Sequence, residues 1–373
     1  MIVTTLRLRD FRTYARARVA LGAGLTVVHG PNGAGKTNLL EALYFGCTAR
    51  SCRTANEREM VRFEAPATRV EVGTADAEGR AHTLAVGFQP GQPKRMQVDG
   101  AVVERLADAP ARPLVSVFLP DRLELIKGPP ALRRSHLDQV VAAARPARAA
   151  TRRAYALTLA QRNALLARVR TGRVPRTALP AWDAELARHG VALRADRATV
   201  VAELAEPFAR AAAELGLRGA AELVFRARSE AATAQELAAE LAERVDADLE
   251  RGFTGHGPHR DDLALRRDGR ELRAYGSRGE QRLGLLALLL AEREVLRAAR
   301  GASPLLLLDD VMSELDYDRR GALAARLARD GGQSVVTATD LAHVPQPAGV
   351  EATCLAVHDG TVLTEAARAQ EAA

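Results

Sequence analysis

Leu25-Thr-Val-Val-His-Gly-Pro-Asn-Gly-Ala-Gly-Lys-Thr-Asn-Leu-Leu-Glu-Ala-Leu-Tyr44 decides the fold. Residues 25–28 read as a strand, and residues 38–44 continue as a helix with its apolar residues on one face. Between them, Gly30-x-x-x-x-Gly35-Lys36-Thr37 is a complete phosphate-binding loop in the strand–loop–helix context that the motif requires. Gly30, Pro31, Asn32, Gly33, Ala34 and Gly35 form the loop, whose successive backbone N–H groups, with the helix N-terminus at Asn38, cradle phosphate oxygens. Lys36 is expected to reach the β and γ phosphates of ATP, and the Thr37 hydroxyl to take a place on Mg²⁺. Composition supports Lys36 independently. Three of the 53 basic residues are lysines (Lys36, Lys94 and Lys127), so a lysine kept here points to a need for a compact ammonium instead of a flat guanidinium fork.

Two further strings belong with the loop. An apolar run at 305–308 ends in Asp309 and Asp310; a carboxylate at the end of a buried strand can hold Mg²⁺ through water, and its neighbour can orient an attacking water. Ser277-Arg278-Gly279-Glu280-Gln281 opens a helix about 30 residues earlier. No run of 18 apolar residues occurs, and Arg7, Arg9 and Asp10 follow the first apolar residues too closely for a signal peptide, so no membrane partner is expected. Cys47, Cys52 and Cys354 are odd in number and lack zinc-ligand spacing, which points to a reducing cytoplasm.

The net charge of +7 is unevenly placed. Eleven arginines and one acid, Asp138, lie between Ala131 and Arg176, giving +10 there and about −3 over the rest. A one-sign helical run is the electrostatic footprint of polyanion binding, here of nucleic acid, ahead of the alternatives of an acidic protein partner or a solvated face. Arg148, Arg152 and Arg153 are the candidate DNA contacts.

Short β candidates at 1–8, 25–28, 69–74, 82–88, 95–98 and 114–119 make the first 130 residues strand-rich. Leu186, Leu193, Val200, Leu204 and Phe208, then Leu237, Leu241, Val245 and Leu249, recur at helical spacing. Strands at 263–266, 271–275 and 334–337 follow, and the tail 366–373 is expected to fray. The expected division is an N-terminal part of a nucleotide-binding head at 1–130, a helical arm at 131–251 and the rest of the head at 252–373.

The order of loop, helical insertion, SxGxQ and Leu-Leu-Asp-Asp resembles the ABC-type ATPase heads of the SMC group, an α/β fold with an inserted helical arm. In that group two heads sandwich two ATPs. The resemblance implies that Ser277, Arg278, Gly279 and Gln281 act in trans on the nucleotide of a second copy, and that Asp316 lies in the D-loop slot. Thr339 stands where such heads carry a switch histidine, and Asp310 where they usually carry Glu; the shorter acid implies slow turnover. A closer resemblance covers nearly the whole chain. Leu8-Arg-Asp-Phe-Arg-Thr-Tyr14, Gly257-Pro-His-Arg-Asp-Asp-Leu263 and Leu306-Leu-Leu-Asp-Asp-Val-Met-Ser-Glu-Leu-Asp316 are similar to the RecF recombination and replication-repair proteins. That similarity implies an ATP-induced homodimer that binds DNA at single-strand/double-strand junctions, a slow DNA-stimulated ATPase activity, and a RecR-like mediator partner in recombinase loading. It also makes Arg12 and Tyr14 candidate nucleotide-side contacts. A transporter's nucleotide-binding subunit, and a nearly non-hydrolysing ATP-gated adaptor, are the competing readings. His256, His259, Asp261 and Asp262 look like metal ligands, but a Gly-Pro turn separates the histidines and matches no ligand spacing.

Overall fold

A computed structural model describes residues 1–119, 123–346 and 352–364; the tail at 366–373 lies outside the described residues, as does 120–122. The chain divides into two compact units, Met1–Arg122 with Gly301–Ala373, and Leu123–Arg300.

In the first unit, one six-stranded antiparallel sheet runs in the order Tyr14–Ala20, Ile2–Phe11, Thr68–Ala75, Ala81–Phe88, Arg95–Val98, Ala101–Val103. The other runs Thr361–Thr364, Thr353–His358, Leu25–His29, Ser334–Ala338, Leu305–Leu308, Val115–Phe118, and its last five strands are mutually parallel. A parallel sheet is covered on both faces, which is why Leu305–Leu308 is an unbroken apolar run and not an alternating one. Parallel order also brings the C-terminal ends of Leu25–His29, Ser334–Ala338 and Leu305–Leu308 to one edge, the usual place for a ligand site in such sheets.

The helix Lys36–Thr48 fills the space between the two sheets. Its Leu39, Leu40, Leu43 and Phe45 share a core with Leu6, Val70, Val72 and Val86 of the antiparallel sheet and Val28, Leu307 and Val335 of the parallel one. Burial therefore extends around the helix, including Glu41 and Cys47, instead of following the one apolar face read from sequence. Gly46 marks the closest approach: a Cβ there would lie 2.4 Å from Val72 Cγ2 and 2.9 Å from Val70 Cγ1.

The second unit holds a small antiparallel sheet, Arg270–Glu271, Asp262–Arg267, Ala221–Arg226, and a set of helices. Its longest helix, Leu179–Glu214, has 36 residues, about 54 Å at the α-helical rise. It packs against Ala149–Arg170, Ala234–Glu243 and Arg278–Arg300. The observed division thus differs from one that resumes the head at 252. Asp262–Arg267 pairs with Ala221–Arg226, and the helix that starts at Arg278 buries Leu283, Leu286 and Leu290 within this unit. The strand expected at 271–275 stops at Glu271, after which Leu272–Tyr275 is a single helical turn.

Candidate nucleotide site

Three strand ends meet on the Asp309 carboxylate. Thr37, in the first turn after the loop, donates to Asp309, with its Oγ1 3.0 and 2.9 Å from the two carboxylate oxygens. Thr337, on the strand lying between those of the loop and of Asp309, donates to Asp309 Oδ1 at 2.8 Å and accepts the Asp310 N–H at 2.8 Å. Burial pushes the Asp309 carboxyl up from its usual range, against the hydrogen bonds from Thr337 and Thr37. A buried carboxylate beside a hydroxyl is a hard oxygen donor set, and it fits Mg²⁺, which takes one or two protein oxygens and keeps several waters. Thr337 is a residue that the sequence reading placed only at the end of the strand 334–337, with no role of its own; its position between the two motif strands makes it their common brace.

Lys36 is 7% exposed, and its Nζ donates to Gly30 O at 2.7 Å and Pro31 O at 2.9 Å. The ammonium sits inside its own loop. Burial lowers its pKa, and the nearby Asp310 and Asp309 carboxylates oppose that shift. Gly35 has φ +113, and a Cβ on it would lie 3.0 Å from the Tyr14 hydroxyl, which donates to Gly35 O at 3.0 Å. Tyr14 therefore fixes the loop's last turn from the start of the strand Tyr14–Ala20. Pro31, Asn32 and Gly33 are exposed at the loop's crest, and Ala34 is buried.

Arg12, at the turn between the strands Ile2–Phe11 and Tyr14–Ala20, is drawn to the phosphate-loop helix. Its Nε and Nη2 donate to the two oxygens of Glu41 at 2.8 and 2.9 Å. Glu41 is fully buried and also accepts from Ser51 Oγ at 2.5 Å and Arg53 Nη1 at 3.3 Å. Arg53 in turn donates to Asn38 Oδ1 at 2.9 Å, and Asn38 Nδ2 donates to Thr13 Oγ1 at 3.1 Å. Two arginines thus meet on Glu41, and one of them, Arg53, also reaches the residue that follows Thr37. A lone acid inside an otherwise apolar helix was the one sequence signal for this cluster, because a buried carboxylate needs charged or hydrogen-bonding partners.

Asp310 adopts φ +46, and its Oδ1 is buried with no hydrogen-bond partner among the described residues. An acceptor without a donor, next to Asp309, can take a proton-bearing water. Asp316 caps the helix Tyr317–Arg329, accepting the Arg319 N–H at 2.9 Å, and Thr339 Oγ1 lies 3.4 Å from His343 Nδ1. In the second unit Ser277, Arg278 and Gly279 are exposed. Gln281 is buried, and its Nε2 donates to Leu272 O at 2.8 Å and Gly276 O at 3.0 Å, holding the turn that precedes them.

Six of the eleven arginines of the basic stretch pair with acids, all but Asp138 lying outside it. Arg133 pairs with Asp262, Arg145 with Glu203, Arg148 with Asp196, Arg152 with Asp138, Arg162 with Asp183 and Asp248, and Arg176 with Asp246. Arg148 and Arg152 remain more than half exposed beyond these pairs, and Arg153 is exposed. The histidines near 256–262 serve the packing of this unit. His256 pairs with Glu240, while His259 receives the Tyr155 hydroxyl on Nδ1 at 2.8 Å and gives its Nε2–H to Thr254 O at 2.9 Å. Burial pushes His259 down to about 4, so it is a neutral imidazole with both nitrogens committed.

This arrangement, a phosphate loop and an acidic strand end on one parallel sheet with an SxGxQ helix in a second unit, defines an ABC/SMC-type P-loop ATPase. A family model described as an AAA domain matches residues 5–94. An Smc head bound to the C-terminal winged-helix domain of ScpA shares the fold, with a TM-score of 0.59 at 15% identity, covering 98% of this chain and 97% of that one. A solved structure of the recombination mediator RecF with ATP gives a TM-score of 0.85 at 26% identity, covering 97% of both chains. The DNA replication and repair protein RecF of Myxococcus xanthus is 39% identical over 376 residues, covering 98% of each chain. The chain belongs to the RecF family of DNA replication and repair proteins. Membership disfavours the transporter-subunit reading, and no helix among the described residues is long and apolar enough to cross a membrane.

Proposed function

We propose that the protein is an ATP-dependent DNA-binding switch of recombinational repair, in which two copies enclose two ATP·Mg²⁺ and each supplies Ser277, Arg278 and Gly279 to the nucleotide held by the other, while Gln281, expected with them from the sequence, is buried and holds the turn before them instead. Within one copy, Lys36 and the loop hold the phosphates, Thr37 and Asp309 hold Mg²⁺, and Asp310 orients the attacking water. The observation that carries the dimer is Gly279. A Cβ built on it would meet nothing nearer than Ser277 Oγ at 4.0 Å, and its backbone is not left-handed. Nothing among the described residues requires glycine there, although glycine in a helix costs about 1 kcal/mol relative to alanine. Close approach by a group from outside the chain supplies the reason.

Replacing Ser277 with Arg is expected to leave ATP binding intact and to abolish ATP-dependent dimerisation in sedimentation runs. A variant that still dimerises with ATP removes the sandwich.

The same proposal assigns the protein to gapped or junction DNA, in the cytoplasm, with a RecR-like mediator, and with slow, DNA-stimulated hydrolysis. What supports this is the family, the RecFOR pathway in which the solved RecF–ATP structure is described, and the exposed arginines. Phosphate contacts make log K fall with log[salt] by about 0.9 per phosphate neutralised on duplex DNA. Changing Arg148, Arg152 and Arg153 together to Ala should make that slope shallower by about one for each arginine that touches a phosphate, at most about three. All sequences should weaken alike, because phosphate contacts carry no base information. An unchanged slope places the DNA surface elsewhere.

A further inference from the structure

The outer face of the six-stranded antiparallel sheet carries a pattern that only strand pairing reveals. Residues directly opposite on neighbouring antiparallel strands point to the same side of a sheet. Register sets Arg16 opposite Arg9, Arg9 opposite Arg69, Arg69 opposite Gly87 and Gly87 opposite Arg95, one row across five strands. The next row begins Arg18, Arg7, Glu71. All six arginines are exposed, while the alternate residues Leu6, Leu8, Val70, Val72 and Val86 face the core. Glu71 is the one acid in the two rows; it pairs with Arg69 at 2.8 Å and with Arg7 at 3.9 Å.

Two features of this face work against the sheet's own stability. Arg7 lies opposite Arg18, and Arg9 opposite both Arg16 and Arg69, and like charges directly opposite repel. Charge on an edge strand can serve to block pairing with another chain, which would account for Arg16 and Arg18 but not for Arg7, Arg9 and Arg69 on inner strands. Arg16, Arg18 and Arg95 form no ion pair among the described residues. Gly87 is the second feature. Glycine weakens a strand interior, and the fold does not ask for it here: its backbone is not left-handed, and a Cβ on it would meet nothing nearer than 4.0 Å, at Arg95 O and Thr68 O. It leaves a gap in the row between Arg69 and Arg95, and a strand glycine of this kind marks the close approach of a ligand or another backbone.

We propose that this sheet face seats the phosphate backbone of duplex DNA, with one phosphate entering over Gly87 between Arg69 and Arg95. This rests on the DNA-binding reading above and gives it a surface in addition to Arg148, Arg152 and Arg153. Neighbouring strands lie about 4.8 Å apart and alternate residues about 6.8 Å apart along a strand, so the two rows spread their charge over a strip about 19 Å by 7 Å. A six-stranded sheet is too broad for a major groove about 12 Å wide, which admits a helix or a two-stranded ribbon, so the face meets phosphates and not base edges. Membership in a family of DNA replication and repair proteins decides for DNA over an acidic protein surface.

The test titrates a fluorescent mixed-sequence duplex with the protein, ATP and Mg²⁺ over a range of salt, with melting temperature and ATP affinity measured alongside. Arg16→Thr combined with Arg95→Thr removes two arginines that make no ion pair and puts in residues that suit strands. The slope of log K against log[salt] should become shallower by about 0.9 for each of them that touches a phosphate, and so by about 0.9–1.8. Gly87→Thr adds a side chain where there is room, so the melting temperature should hold or rise. DNA binding should nevertheless weaken about fivefold at physiological salt, the scale of one lost phosphate contact. ATP affinity should stay parental in both. A parental salt slope in the double variant overturns the proposal, as does parental DNA affinity in Gly87→Thr, and either would leave the face to an acidic protein. A loss of DNA binding that only follows a lower melting temperature makes the face structural and overturns it too. A parent that binds no DNA with ATP defeats the DNA-binding reading itself, a result separable from the behaviour of either variant.

Discussion

Arg162→Met is expected to unfold the second unit at much lower denaturant than the parent. Arg162 is fully buried; its Nε donates to Asp183 at 2.6 Å, and its Nη1 donates to Asp248 at 2.7 Å and Thr254 at 2.8 Å. One guanidinium therefore neutralises two carboxylates that are themselves 3% and 0% exposed. Methionine fills much of the volume but leaves both acids buried without a cation. Breaking a buried pair from one side costs about 3–5 kcal/mol, a large part of the roughly 5–15 kcal/mol that holds a domain together. Urea unfolding followed by circular dichroism measures it. Adding Asp183→Asn and Asp248→Asn to Arg162→Met should restore part of the loss, because the uncompensated charge goes with the cation. Arg153→Met, at an exposed position of the same helix, should move the midpoint little. An Arg162→Met midpoint equal to the parent's would mean that the unit does not depend on this cluster.

Arg162 also shows where sequence was a poor guide. It was one of the eleven arginines between Ala131 and Arg176, and counting charge in a window made it part of a basic surface. Its partners come from positions 21 and 86 residues further on, so no local count can reveal them. The same holds for Arg133 with Asp262 and Arg148 with Asp196. By contrast, the site's frame was legible because each part is local: a loop whose glycines and lysine stand in adjacent positions, and an apolar run ending in two acids. What joins the parts was not legible. Thr337 braces Asp309 and Asp310 because its strand inserts between those of the loop and of Asp309, and sheet order is a long-range property. The strand Tyr14–Ala20, missed in the sequence reading, pairs with Ile2–Phe11 through a turn in which Arg12 takes φ +49, a conformation uncommon outside glycine, asparagine and aspartate. No Gly or Asn announced that turn. The 252–300 segment resembled part of the head by its motif, but its apolar helix face found its partner in Leu179–Glu214, which only packing decides.

Lys36→Arg is expected to remove most ATP binding although the charge is kept. The ammonium occupies a seat bounded by Gly30 O and Pro31 O at 2.7 and 2.9 Å, almost closed to solvent, at the centre of a loop whose last glycine is pressed by Tyr14. A guanidinium is planar and broader, with donors spread over a fork, and cannot enter a seat shaped for three donors on one nitrogen. Hydrogen bonds from a charged group contribute about 1.5–3 kcal/mol each, so displacing two of them and the phosphate contact they prepare should weaken ATP binding at least about a hundredfold. Titration with a fluorescent ATP analogue reads this directly, with melting temperature as the check that the fold is kept. Dimerisation and DNA binding stimulated by ATP should disappear together, since both follow the occupied loop. Tyr14→Phe separates seat from charge: it removes only the hydroxyl that fixes Gly35 O, and should weaken ATP binding by about tenfold, the scale of one neutral hydrogen bond. Parental affinity in Lys36→Arg would show that the site asks only for positive charge, and the loop's close fit around the ammonium would then have no part in binding ATP.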